Sequence, residues 1–382
     1  GLRLALPPSR QDLGAGDLLT LEADTSGAQY RIDSVDLASG QVIEATRVDP
    51  TVYLPAAMEE DAITLPVFLP PLPVFALFMD LPLMTGDEQP HAPHLAVTAD
   101  PWPGGAALYS SATGSGFTLN TVVQRRAIIG VTQGPLAKGQ PGVLDKTASV
   151  TVKLTSGALS SIDLQTLLAG GNLAALGDGT ADRWEVFQFA GATLTAPDTY
   201  TLHLLLRGQL GSDAVMPDVW PQGSFFVLLD GTPPQIALPH AARGLRWHYR
   251  IGPAIRGLDD PSFTATEQAF DGTGLKPYAP VHLRAAVAVD QSVAISWVRR
   301  GRVDADGWEA PEIPLGEESE RYQLRIWQGN VLKRDIVLDA AAWVYPAAAR
   351  LDDGTTGSFR VDVAQISGRV GPGYRAALIV SA

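Results

Sequence analysis

Val281-His282-Leu283-Arg284-Ala285-Ala286-Val287 is followed by Ser292-Val293-Ala294-Ile295-Ser296-Trp297 and then by Tyr322-Gln323-Leu324-Arg325-Ile326. In each run the apolar side chains take every second position, the period that puts them on one face of a β-strand. Val331 and Val337 come next, then Phe359, Val361 and Val363, and finally Tyr374, Ala376 and Leu378. Short alternating strands at this spacing predict a small antiparallel sandwich over residues 279–382, with Trp297 and Tyr322 in its core.

The same period extends to the other end of the chain. Leu18, Leu19 and Leu21, then Tyr30, Ile32 and Val35, then Val42, Ile43 and Ala45 are separated by Ser26-Gly27 and Ser39-Gly40 turns, so residues 1–60 read as a β-meander within a hub-like β domain. Strand candidates also run through 91–234, at Thr121–Val123, Ala127–Val131, Ser149–Leu154, Trp184–Ala190, Thr199–Arg207 and Ser224–Leu229. Leu159, Ile162, Leu164, Leu167 and Leu168 have helical spacing before Gly170-Gly171, which predicts one short helix in this second β domain. Residues 235–278 mix Pro, Gly, His and Arg without a period and read as an irregular connector with some strand content. The fold expected is mainly β and multidomain: barrel-like or tube-like segments followed by a C-terminal sandwich.

Composition agrees with that reading. The 382 residues include 38 Gly and 29 Pro but only 18% charged side chains, a balance of turn-rich β proteins. Forty-one acidic against 28 basic residues give a formal charge of −13, which argues against sequence-specific nucleic-acid binding. The absence of cysteine removes disulfides, thiolate metal sites and cysteine nucleophiles together. Arg3, Pro7, Pro8, Arg10 and Asp12 leave no apolar signal segment within the first twenty residues, and a chain starting at Gly1 is expected to be part of a longer protein.

The most apolar stretch, Ile63 to Met84, lies in a Pro-rich segment spanning 61–90. Pro66, Pro70, Pro71, Pro73 and Pro82 each remove a backbone donor, so a membrane-spanning helix is not expected. Val67, Phe68, Leu69, Val74, Phe75, Leu77, Phe78 and Met79 are therefore expected to form an interface or a membrane-contacting patch that another chain or domain must cover. Burial between domains is the plainer alternative.

Residue types for catalysis do not converge. His91 and His94 form the one close histidine pair, beside Asp87 and Glu88, but a metal needs three or four ligands and the prolines hold this segment extended. Ser115 in Thr113-Gly114-Ser115-Gly116 lacks the glycine spacing of a nucleophile elbow. Glu59-Glu60-Asp61 and Glu317-Glu318 read as solvated charge runs, and no phosphate-binding glycine loop occurs. No catalytic residue, cofactor or metal is expected. Trp308, in a loop of Asp and Gly, is the aromatic expected at the surface as a binding contact.

Two resemblances sharpen these expectations. Ser292–Trp297, Tyr322–Ile326 and Phe359–Gly368 resemble the B, C and F strands of a fibronectin type III module, with Phe359 standing where that family usually has a tyrosine. Arg299-Arg300, Asp304–Trp308 and Pro314–Glu318 inside such a module look like those of phage tail-tip proteins. Tyr30–Asp33, Ala45–Asp49, Asp80-Leu81-Pro82-Leu83, Pro101–Gly104 and Leu205-Leu206-Arg207-Gly208-Gln209-Leu210-Gly211 resemble the C-terminal portion of the gene transfer agent baseplate family. Those large "megatron" proteins are similar to siphophage host-specificity tail proteins. Nothing here matches the glycoside-hydrolase-related region of the family's fuller form.

The resemblance implies a structural virion component of a tail baseplate in an extracellular phage-like particle, assembled in the bacterial cytoplasm. It would be a homotrimeric hub closing the tail channel, touching other baseplate, hub and tail-fibre proteins and meeting the host envelope during attachment and DNA delivery. The alternative is a set of accessory β-modules from a secreted polysaccharide-active protein, with Trp308 binding glycan.

Overall fold

A computed structural model describes residues 1–38, 40–53, 72–302, 305 and 314–381. The fold is mainly β and multidomain, and the chain divides into two compact units, residues 1–69 and 70–382.

In the first unit, Leu18–Thr20, Gln29–Leu37 and Gln41–Val48 form an antiparallel meander, as the alternation predicts. A strand missing from the sequence reading, Leu2–Leu6, pairs with the outer edge of Gln41–Val48. Ile32, Ile43 and Ala45 are its buried centre, with Leu2, Leu4, Leu6 and Tyr30 packed around them.

The second unit contains a closed antiparallel barrel of six strands. Around it in order run Leu144–Leu154, Thr199–Gln209, Trp184–Ala196, Leu173–Gly177, Phe225–Leu228 and Ile129–Thr132, which pairs back to the first. Alternation sorts the side chains. Ala174, Leu176, Phe187, Phe189, Leu205 and Phe226 fill the interior, while Ala175, Val186 and Val227 point outward. The predicted helix is a single turn, Leu164–Leu168, started by Asp163 accepting from the Thr166 amide at 2.7 Å. Of its leucines only Leu167 is buried.

In the described part of the Pro-rich segment the structure follows the plainer alternative, burial of an extended segment between domains, and adds regularity to it. Phe75–Met79 is a regular strand, paired antiparallel with His94–Thr98. One face of this ribbon, with Leu77, Met79 and Ala96, packs on the outside of the barrel against Ala175, Val186 and Val227. The other, with Val74, Phe78, Leu95 and Val97, packs against a four-stranded sheet through Leu108, Tyr249, Ile251 and Phe270. A strand covered on both faces needs apolar side chains at every position, which accounts for the unbroken run. That sheet runs in the order Thr264–Gln268, Trp247–Pro253, Ala106–Ser111, Thr118–Val123, so the strand content of the connector is two regular strands that make half of a sheet.

The C-terminal module is a fibronectin type III-like sandwich. Val281–Val287, Val293–Val298 and Ala342–Tyr345 form one sheet; Val331–Leu338, Tyr322–Gln328, Phe359–Ser367 and Gly371–Val380 form the other. Trp297 and Tyr322 are both in the core, ring centroids 5.2 Å apart. Phe359 cannot make a phenolic hydrogen bond, and Tyr345, packed edge-on against it, makes one instead: its hydroxyl lies 2.5 Å from Asp353 Oδ2 and 2.9 Å from Thr355 Oγ1.

Candidate functional site

Three of the apolar interface candidates, Val67, Phe68 and Leu69, lie outside the described residues, as does Trp308. The other five are placed, and four of them are corrected. Val74, Leu77, Phe78 and Met79 are at most 5% exposed, inside the core of their own unit, so they offer no surface to a partner or a membrane. Phe75 alone stays open, at 44% exposure, with one side against the Phe225 ring at 5.6 Å. Phe78 sits 5.3 Å from Tyr249 and 5.8 Å from Phe270. Phe78→Ser is therefore expected to destabilise the unit by roughly 3 kcal/mol or more in urea denaturation. Phe75→Ser is expected to change it by about 1 kcal/mol or less.

The histidine pair also separates. His91 Nε2 lies 2.9 Å from the Leu238 carbonyl and its ring meets His240 edge-on. His94 is buried in the wall of a cleft of about 740 Å³, lined also by Glu88, Leu168, Gln188 and Gln209. Burial lowers its pKa to about 4, against the opposing pull of Glu88, so the ring is neutral at physiological pH. Glu88 is occupied with its own loop, accepting from the Thr85 and Gly86 amides at 2.9 and 2.8 Å. Among the described residues no three His, Asp or Glu side chains gather where they could hold a metal ion.

Ser115 lies in a turn, its hydroxyl 3.1 Å from that of Thr113. The sheet does line up Ser111, His248 and Glu267 on three neighbouring strands, with His248 Nδ1 3.2 Å from Glu267 Oε1. Ser111 Oγ, however, donates to the Ser115 carbonyl at 2.5 Å, so it is held by its own loop. This row of side chains was invisible in the sequence because strand register creates it.

A convergence of polar groups lies where barrel, ribbon and sandwich meet. Residues 272–278 run between them as a strap. At its start the buried Asp80, just past the ribbon strand, accepts from the Gly272 amide through Oδ2 at 2.9 Å and from the Thr273 amide through Oδ1 at 2.8 Å. Desolvation raises the Asp80 pKa to about 6 in spite of these two bonds. Arg302 donates through Nη1 to the Gly274 carbonyl at 2.9 Å, and its Nε meets Glu317 Oε1 at 3.1 Å, both side chains at least 90% buried. The Pro277 carbonyl accepts from the Tyr374 amide of the last sandwich strand at 3.1 Å.

At the strap's end Tyr278 lies under the Arg300 guanidinium, 5.2 Å from it, and Arg300 Nη1 bonds Asp213 Oδ1 and Oδ2 at 2.9 and 3.1 Å. Gly211 has φ of 77°, and a Cβ there would overlap the Tyr278 ring, so this contact requires glycine. Two stretches singled out in the sequence, 80–83 and 205–211, thus hold contacts that fasten the strap.

A further buried cluster closes one end of the barrel. Arg207 and Glu185, both fully buried, form a two-pronged pair with Nε–Oε1 at 2.6 Å and Nη2–Oε2 at 2.7 Å. Glu185 also accepts from the Trp220 indole at 2.6 Å and the Gly208 amide at 3.1 Å, and Arg207 Nη1 donates to the Ala137 carbonyl at 3.0 Å. With every prong partnered, the group has no free valence for substrate and acts as a rigid plug.

Residues 127–227 match a family model described as Rcc01698-like, C-terminal. This range spans the barrel almost to its last residue. No curated protein matches the chain. Among solved structures, domains d3–d4 of the rat CD45 extracellular region align at 13% identity and a TM-score of 0.21, over 31% of this chain and 55% of that one. The FN1–FN3 domains of chicken CNTN1 align at 9% identity and a TM-score of 0.21, over 82% of this chain and 99% of that one. At these scores the fold assignment rests on this chain's own strand order.

Proposed function

We propose that this chain is a structural component of a phage-like tail tip, of the gene transfer agent baseplate kind. In this reading it forms part of the hub that closes the tail channel and contacts the host-recognition fibres. The observation that carries the proposal is a coincidence: the barrel region is the part that matches the Rcc01698-like family model, and the matched range contains 205–211, one of the five stretches that resemble the baseplate family. That stretch supplies both Arg207 of the plug and Gly211 of the strap contact. Clamped modules and a fully partnered buried pair suit a part that bears load within an assembly.

Three copies around the tail axis, with neighbouring baseplate and fibre proteins, are the proposed partners. Light scattering on the purified chain, with low-resolution imaging of tagged particles, tests this. A trimer, or three copies at the tail tip, is the expected result. A chain that stays monomeric, is absent from tail tips and binds polysaccharide would overturn it in favour of an accessory module.

A further inference from the structure

The cleft of about 740 Å³ lies where the loop after the ribbon, the single helical turn and the barrel meet. Two of its polar side chains are more than nine-tenths buried yet keep an unused atom. His94 is 6% exposed, and among the described residues no hydrogen bond reaches either ring nitrogen. Gln188, also 6% exposed, spends both amide hydrogens on the Leu167 and Gly171 carbonyls at 2.7 and 2.8 Å, which leaves its Oε1 as an acceptor. Gln209 turns its amide to the Arg207 carbonyl at 3.2 Å and likewise keeps Oε1. Glu88 adds a charge: burial works against its ionisation, but the amides of its own loop outweigh that and hold its pKa below the ordinary carboxylate range. Among the described residues that line the cleft there is no lysine or arginine to answer this charge. There is also no Trp, Tyr or Phe on which a sugar ring could stack. The remaining wall is largely aliphatic, with Met84, Leu168, Leu173, Leu210 and Leu229.

We propose that this cleft binds an alkylammonium group, either a free polyamine or the side chain of a lysine on a neighbouring protein. An ammonium carries three donors and no acceptor, so it complements a wall whose unused polar atoms accept. Those atoms are Oε1 of Gln188 and of Gln209, the Glu88 carboxylate, and a nitrogen of His94, whose neutral ring can hold its one proton on the other nitrogen. A carboxylate or phosphate would meet the Glu88 charge with no cation beside it. The aliphatic wall takes the methylene stem out of water, and this separates an alkylammonium from a sodium or potassium ion. A cleft of this kind, mostly apolar with a few convergent polar groups, is the usual form of a small-ligand site. The chain's formal charge of −13 favours the approach of a cation.

Titration calorimetry of the full chain in physiological salt tests this with three probes: spermidine, N-acetyl-lysine methylamide, and hexanediol, which keeps an aliphatic stem without the charge. At least one amine is expected to bind saturably at a single site, and the tighter of the two names the source, free polyamine or protein lysine. Hexanediol should bind more weakly by on the order of tenfold or more, the equivalent of losing a charge-assisted hydrogen bond. Glu88→Gln, which keeps the side chain's size, should weaken the amine by a similar factor. Histidine-labelled NMR of unmutated protein supplies a readout independent of that variant's folding. Of the six histidine rings, His94 is recognised by staying neutral down to about pH 4, where burial holds it against the pull of Glu88, and its signal is the one expected to shift with the amine. No saturable amine binding, undiminished binding in Glu88→Gln, hexanediol binding as well as the amines, or an unmoved His94 signal would each overturn the site. None of these outcomes bears on whether the chain belongs to a tail tip.

Discussion

Glu185→Ala is expected to lower the stability of the barrel by about 3–5 kcal/mol, the largest single-residue effect in this chain along with the tryptophan change argued below. The substitution leaves Arg207 charged with no exposed surface and strands the Trp220 indole and the Gly208 amide, all of which now point at Glu185. Arg207→Ala should cost about as much for the mirror reason, leaving a buried carboxylate without its cation. The double replacement Glu185→Leu with Arg207→Met is expected to recover at least half of the loss, because it removes both charges together and fills the space. It should not recover all, since the indole and amide donors still lack an acceptor. Urea denaturation of the four proteins measures this, and single-variant losses below about 1 kcal/mol would show that the pair is not held as described.

This cluster also shows where the sequence was legible and where it was not. Alternation alone puts Glu185 on the same face as Phe187 and Phe189, and Arg207 on the face of Leu205. Two opposite charges at core positions of adjacent strand candidates are a readable signal for a buried pair. What sequence cannot supply is the register, which here shifts between Val186 and Gln188 and brings together residues 22 positions apart. The ribbon failed for a different reason. Prolines at 66, 70, 71, 73 and 82 drew attention away from the eight proline-free residues between them, Val74 to Leu81. The first six of them, Val74 to Met79, are all apolar, which is what a strand covered on both faces requires. The strap was the least legible part. Gly272–Tyr278 has no period, and its meaning comes entirely from Asp80, Gly211, Arg300, Arg302 and Tyr374, none of them near it in sequence except through the fold.

The C-terminal sandwich was the most legible part, and Trp297→Ala tests why. Its indole comes from the three-stranded sheet and meets Tyr322 of the facing sheet at 5.2 Å and 74°, so it joins the two layers instead of filling space within one. Truncation should cost about 3–5 kcal/mol, the range for a large aromatic removed from a packed core. Val298, the next residue along the strand and on its outer face at 46% exposure, is the control: Val298→Ala should shift stability by no more than about 0.5 kcal/mol. The buried clusters of barrel and sandwich share no residue, and among the described residues the two modules meet through the strap, the Arg300–Asp213 ion pair and contacts between the last sandwich strand and the Ser212–Ala214 turn. The loss in Trp297→Ala is therefore expected to appear as an earlier transition confined to the sandwich, with the barrel unfolding where it did before. Circular dichroism and limited proteolysis across a thermal ramp distinguish the outcomes. If sandwich and barrel melt together at a lower temperature, the strap couples them strongly enough to make one cooperative unit; if neither moves, Trp297 does not bridge the sheets.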